Sequence, residues 1–337
     1  MEALNTMKKV LLISLVLLST FLAACSGGSP TGPSFNPYIG GTEGVRMEFI
    51  EGQPPQEEGA ILDNGKSSFA IGLQLTNVGE YDIDAGDLEL ELRGILPEQF
   101  GISNSDLVKE LEDPLPGAKK NIDGSIIPGQ FSAVSFDGLS YQPDARGDIP
   151  KTFQVNLCYD YKTYSSTTVC IADDVTNALT DVEDKEICQI NGVKSVKSSG
   201  GPVQVTDLKQ LPQGGNKISV IFTVSHVGTG NIYKVNSPVG CDDNLANTDR
   251  NKVDISVSLP GTSSASVTCQ GFDTSGDTAT GEITLWEGNP RTVTCTIEGN
   301  SGADIIYEDL LDVELSYMYG QTSSVTALIK DIGTANN

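Results

Sequence analysis

The chain has 337 residues, enough for two domains of ordinary size. Its 45 acidic against 21 basic residues leave a formal net charge of -24, and such a surface disfavours nucleic acid and, by charge alone, anionic lipid. With 38% hydrophobic and 20% charged residues it is neither a disordered acidic tail nor a membrane bundle, and its one histidine leaves little room for imidazole chemistry.

Lys8 and Lys9 precede an apolar run, residues 10–24, that ends in Leu22-Ala23-Ala24-Cys25. A run of about 15 residues rises only about 22 Å as a helix, short for a bilayer and usual for a signal-peptide core. Leu-Ala-Ala-Cys resembles the lipobox of prokaryotic lipoproteins. That resemblance implies loss of residues 1–24 and a diacylglyceryl thioether on Cys25, which would hold the protein to the membrane; a plain secretory signal with an incidental Cys25 is the bland alternative. Residues 25–44 are rich in Gly, Ser and Pro and read as a flexible tether.

From residue 45 onward apolar and polar positions alternate, the mark of half-buried strands. Strands are expected at residues 45–50, 68–75, 88–92, 131–136, 152–161 and 167–171. A second set is expected at 217–224, 253–259, 266–268, 281–286, 292–297, 311–319 and 324–329. One short helix is expected at 105–111, capped by Ser105 and stopped before Pro114. The 153–161 segment matches 311–319 at an offset of 158 residues, and Leu75-Thr76-Asn77-Val78-Gly79 echoes Val224-Ser225-His226-Val227-Gly228. The expectation is an all-β chain with two tandem sandwiches, residues 45–175 and 202–337, joined by a linker at 176–201.

An apolar strand, then Asn-x-Gly, then alternating Leu and Glu (residues 73–92, less clearly 218–233) is similar to the immunoglobulin-like modules of prokaryotic surface proteins, CARDB-type adhesion modules among them. The arrangement with its Cys-Tyr-x-Tyr segment also resembles archaeal cell-surface proteins. The resemblance implies an extracellular scaffolding or adhesive role.

Setting Cys25 aside leaves Cys158, Cys170, Cys188, Cys241, Cys269 and Cys295, an even number that suggests three disulfides on an exported chain. Cys158 and Cys170 lie on the two arms of one expected hairpin, and their repeat counterparts Ser316 and Leu328 are both not cysteine. Loss of both together points to a Cys158–Cys170 bond. For the other four, Cys188–Cys241 and Cys269–Cys295 are preferred, with the alternatives open.

Little in the sequence points to catalysis. His226 stands where the first copy has Asn77, both residues tolerate turns, and no G-x-S-x-G elbow accompanies it. Acid pairs such as Glu57-Glu58, Asp82 with Asp84, and Asp173-Asp174 read as solvated surface in so acidic a chain. Tyr159, Tyr161, Tyr317 and Tyr319 share strand faces and read as core or interface. Calcium is the one ligand considered, with Asp242, Asp249, Asn251 and Asp254 offering oxygens in a loop before a strand, although Arg250 and Lys252 oppose a dication. The expected role is a lipid-anchored, non-enzymatic structural or adhesive protein on the outer face of a cell envelope, with other envelope proteins or glycans as partners. A binding module for a solute or glycan, or a filament subunit assembling by strand addition, are the alternatives.

Overall fold

In chain order the first half contributes β1 (Val45–Phe49), β2 (Ile61–Leu62), β3 (Phe69–Asn77), β4 (Leu88–Arg93), β5 (Val108–Glu110), β6 (Lys119–Lys120), β7 (Ile126–Ile127), β8 (Phe131–Leu139) and β9 (Ile149–Ala172). The rest contributes β10 (Gly192–Lys194), β11 (Lys197–Ser198), β12 (Val203–Gly214), β13 (Lys217–His226), β14 (Asn231–Tyr233), β15 (Lys252–Ser258), β16 (Ala265–Cys269), β17 (Asp273–Ser275), β18 (Thr278–Thr284), β19 (Arg291–Gly299) and β20 (Ile306–Lys330). These elements come from a computed structural model that describes residues 36–56, 60–176, 187–244, 246–261, 265–299 and 305–333. The leader, Cys25 and most of the tether lie outside the described residues. Every strand among the described residues lies within one compact unit, Pro37–Asn337.

The fold is all-β, with sheets packed as sandwiches. Two smaller sheets, ordered β1-β3-β8 and β10-β12-β13-β19-β16, accompany one large sheet that runs β17-β18-β15-β20-β9-β4-β5. The pairings repeat. In the first half β3 pairs with β1 and β8 while β4 pairs with β9; in the second β13 pairs with β12 and β19 while β15 pairs with β20. Strict alternation explains each element. In β4, Leu88, Leu90 and Leu92 are buried between outward Glu89 and Glu91, and in β15 Val253, Ile255 and Val257 do the same. Phe69 of β3 meets Phe153 of β9 edge to face at 5.7 Å, joining small and large sheets of the first half.

β9 and β20 differ from expectation. Each was read as two short strands around a turn, and each is one continuous strand, of 24 and 25 residues. All of β9 pairs antiparallel with β20, from Ile149 opposite Ile329 to Ala172 opposite Ile306. The polar run that read as a turn lies flat because its inward hydroxyls are bonded. Thr163 Oγ1 meets Tyr317 Oη at 2.8 Å, Ser165 Oγ meets Ser198 Oγ at 2.8 Å, and Thr167 Oγ1 donates to Ser195 O at 3.1 Å. β10 and β11 fall within the expected linker; β10 pairs with β12 and β11 with β9, so this part is built into the body.

Each long strand serves both halves. The end of β9 reaches the second half, where Gln210 of β12 brackets Cys170, its Nε2 donating to Cys170 O at 2.6 Å and its Oε1 accepting from Cys170 N at 3.0 Å. The end of β20 reaches the first half, where Ile329 pairs with Ile61 and Gln321 Nε2 donates to Val45 O at 3.1 Å. The repeat offset and the ladder coincide at one pair, Asp160 and Met318, which are both repeat counterparts and direct partners. A local two-fold relation between the halves therefore centres there.

Around this centre four buried tyrosines act in matched roles. Tyr159 Oη accepts from Val45 N at 3.1 Å and Tyr317 Oη from its counterpart Val203 N at 3.4 Å. Tyr161 Oη accepts from Glu80 N at 3.1 Å and Tyr319 Oη from Gly230 N at 2.6 Å. The Asn-x-Gly and His-x-Gly echoes have their cause here. A Cβ on Gly79 would stand 1.8 Å from Tyr161 Oη, and one on Gly228 would stand 2.3 Å from Tyr319 Oη. Only glycine lets each hydroxyl approach its loop.

The disulfides overturn two expected pairings. Cys158 bonds Cys241, Cys170 bonds Cys188, and only Cys269–Cys295 is as expected. Cys158 and Cys170 sit on one extended strand, twelve residues and so about 40 Å apart, and cannot meet. Cys269 faces Cys295 directly across β16 and β19. Chain-entropy arguments give each bond about 3–5 kcal/mol of stabilisation, the largest for Cys158–Cys241 with its separation of 83 residues. Three disulfides belong to an oxidising, extracytoplasmic setting. No helix among the described residues is long and apolar enough to cross a membrane.

The expected helix at 105–111 is instead a single 3-10 turn, Asn104–Leu107, followed by β5. Its cap is Ser103, whose N–H donates to Asp106 Oδ2 at 2.8 Å, and the chain then joins the edge of β4 rather than continuing as helix. The end of the tether is also ordered. Ile39 N and Gly40 N donate to the Glu80 carboxylate, both at 2.9 Å, and Gly201 N donates to Gly41 O at 3.2 Å.

Two outcomes follow from the centre. Tyr161→Phe strands Glu80 N, Tyr81 N and Gly200 O, all bonded to that hydroxyl, and is expected to cost about 2–4 kcal/mol in urea denaturation; a loss near zero contradicts the role given to the hydroxyl. Burial, and then Asp87, push Asp160 up to about 6, and its Oδ1 has no partner among the described residues. A folded pKa raised above the unfolded value favours folding at pH below about 4, and that benefit is lost as pH rises through about 6. Asp160→Asn is therefore expected to add about 1–2 kcal/mol at pH 7.5, allowing for solvent screening, and to add little at pH 4.

Candidate functional site

The second half differs from the first at one end. The turn between β3 and β4 spans residues 78–87, whereas residues 227–251 separate β13 from β15. This longer segment forms β14 against β20 and is then pinned to β9 by Cys241–Cys158. Tyr233 Oη donates to Asp243 Oδ1, Asn231 Nδ2 donates to the same oxygen at 3.0 Å, and Ser237 Oγ donates to Asp249 Oδ2 at 2.9 Å. Asn247 closes the loop on itself, its Nδ2 donating to Asp242 O and its Oδ1 accepting from Asp249 N, both at 2.9 Å.

The braced loop makes one wall of an open cleft of about 700 Å³. Residues 246–252 stand on one side, the end of β13 with His226 on another, and the turn after β18 on the third. That turn, Trp286–Gly288, is well defined. Gly288 N donates to Leu285 O at 3.0 Å, Asn289 N and Nδ2 both reach Trp286 O at 2.9 Å, and Leu285 is fully buried. Glu287 takes a left-handed backbone at φ 51°, a conformation that costs a non-glycine residue about 1 kcal/mol. The tryptophan so presented is 71% exposed.

His226 lies half-buried in the cleft lining. Its Nε2 is 3.0 Å from Tyr319 Oη, which also accepts from Gly230 N. Burial holds its pKa below the usual 6.5, so the ring is neutral at neutral pH. Lys252 lines the cleft and shares Glu282 with Lys234. Glu282 accepts from Lys234 at 2.8 Å and from Lys252 at 3.0 Å; burial opposes its ionisation, but those bonds outweigh burial and hold the carboxyl below its usual range. Arg250 takes part in no ion pair among the described residues.

In the first half the position of His226 has a different role. Asn77, the counterpart of His226, donates through Nδ2 to Tyr81 O at 2.8 Å and to Leu115 O at 2.9 Å, drawing the two loops together. The cleft is thus a property of the second half's loops and not of the fold.

The calcium candidates are distributed. Asp242 Oδ1 accepts from Asn244 N at 3.0 Å and Asp249 is held by Ser237, as above. Asn251 takes a left-handed backbone, and Asp254 lies on β15 opposite Glu282. Among the described residues no three His, Cys, Asp or Glu side chains gather to hold a metal ion. Of the acid pairs, Asp82 accepts from Lys119 at 2.7 Å and from Gly117 N at 2.9 Å, a structural role, while Glu57-Glu58 lie outside the described residues. The four tyrosines are buried, so they offer no stacking platform. Arg250 and Trp286 were not read from the sequence as site residues; the unequal loop lengths of the two copies were the available signal.

No protein family and no curated protein matches the chain. The structure described as manganese lipoxygenase of Gaeumannomyces graminis with partial zonadhesin of Komagataella pastoris is 9% identical over 87% of this chain and 99% of that one, at a TM-score of 0.14. The major capsid protein of bacteriophage PM2 is 7% identical over 82% of this chain and 98% of its own, at 0.16. Likenesses this faint carry no argument about fold or function.

The His226 geometry sets a pH dependence. Its folded pKa lies below the unfolded one, so its contribution to stability is present above pH 6.5 and is lost as pH falls through the folded value. His226→Asn, which installs the first-half residue, is expected to melt with less loss between pH 7.5 and pH 5 than the parent; an equal or steeper loss contradicts the neutral ring.

Proposed function

We propose that this chain is a lipid-anchored protein on the outer side of a prokaryotic cell envelope, with a structural or adhesive rather than catalytic role. The observation that carries the reading is the joining of the two sandwiches by β9 and β20 under three disulfides. A body built this way keeps its shape without the help of a reducing, chaperone-rich interior. The lipobox-like Leu22-Ala23-Ala24-Cys25 supplies the attachment, and the acidic surface keeps the displayed body soluble.

One observation favours a recognition role within this setting, the open cleft of the second half with its exposed tryptophan. Strand donation by the tether has less support: residues 39–41 bond to Glu80 and Gly201 of their own chain.

Mass spectrometry of the protein from its native membrane fraction tests the anchor. The expected result is a mature amino terminus at Cys25 carrying acyl mass, and release of a Cys25→Ala variant into the soluble fraction. An intact leader with an unmodified Cys25 overturns the anchored reading.

A further inference from the structure

We propose that the cleft between His226, the 246–252 loop and Trp286 binds a saccharide bearing a carboxylate. The inference gives the adhesive reading a ligand class, and rests on that reading only for its setting. Four observations lead to it.

The first is the tryptophan. Trp286 is the sole tryptophan of 337 residues, and a hydrogen-bonded turn with a left-handed Glu287 holds it at 71% exposure beside a cavity. Flat aromatic faces left in solvent at a concave site suit the C–H faces of a sugar ring. The second is the polarity of the walls. Asn231, Asn247, Thr248 and Thr284 line the cleft beside backbone groups, a lining for a hydroxylated ligand rather than an aliphatic one.

The third is charge. The chain carries a net charge of -24, yet Arg250 faces the cleft without an ion-pair partner among the described residues, while its neighbour Lys252 is already held by Glu282. A guanidinium is suited to a planar carboxylate through paired N–H donors. Glu287 at the rim and the acidic surface disfavour a polyanion, so a ligand of low charge density fits best. The fourth is internal comparison. In the first half Asn77, the counterpart of His226, bonds Tyr81 O and Leu115 O instead of standing at a cleft wall, so the equivalent position is used there to join two loops. The cleft volume of about 700 Å³ lies in the range of small-ligand sites.

Because Trp286 is the sole tryptophan, its emission reports on this cleft alone. The full mature chain is titrated with tri-galacturonate and with neutral galactotriose. The expected result is a saturable change with tri-galacturonate at a Kd of about 1 mM or tighter, and roughly tenfold weaker binding of the neutral sugar. Arg250→Gln should reduce that preference to about threefold or less, with melting temperature unchanged. Trp286→Ala, followed by calorimetry, should weaken both sugars about tenfold or more. Absence of saturable change up to about 10 mM on folded protein, equal affinity for both sugars, or an Arg250→Gln variant that binds as the parent does each overturns the proposal. These results are independent of acylation at Cys25, so failure here and failure of the anchor are separately visible.

Discussion

The structure depends on one ladder, the antiparallel pairing of β9 with β20 over the whole of β9. Remove it and the one large sheet that crosses both halves divides in two, β9 staying with β4 and β20 with β15. The ladder also sets the tyrosines. Tyr159 faces Tyr319 and Tyr161 faces Tyr317 across it, and their rings, 5.9 Å and 6.1 Å apart, carry the packing across the joint. Their hydroxyls then fasten the first strand and the glycine turn of each copy. A single register thus positions the first strand and the glycine turn of each half.

Much of this was legible in the chain. Alternation located most strands within a few residues, and the 158-residue offset has a structural counterpart in the recurring strand pairings of the two halves. The Asn-x-Gly and His-x-Gly echoes were legible as pattern, although their cause, the approach of a tyrosine hydroxyl, needed the fold. The continuous β9 was not legible. Its middle, Lys162-Thr163-Tyr164-Ser165-Ser166, has the composition of a turn, and the hydroxyls that make it tolerable inside bond to partners far along the chain. The mistaken Cys158–Cys170 pairing followed directly, since two cysteines on a supposed hairpin become two points about 40 Å apart on a rod.

The cleft was the least legible part. Its elements come from three separated stretches, and no motif spans them. His226 is the sole imidazole and Trp286 the sole indole of the sequence, but nothing in their spacing places them at one opening. What brings them together is the segment between β13 and β15, braced by Cys158–Cys241 and by Asn247, and the turn after β18. The same disulfide that corrects the expected connectivity is the one that seats the cleft wall against the central ladder.

The two-fold relation centred on Asp160 and Met318 is the symmetry that two identical chains adopt when each lends a strand to the other. In such a dimer every insertion appears twice, and any opening comes as a matched set. A single chain is free of that condition, so the segment 227–251 is long while its counterpart 78–87 is short. The outcome is an unequal pair of halves, with the cleft framed by the longer loop of the second.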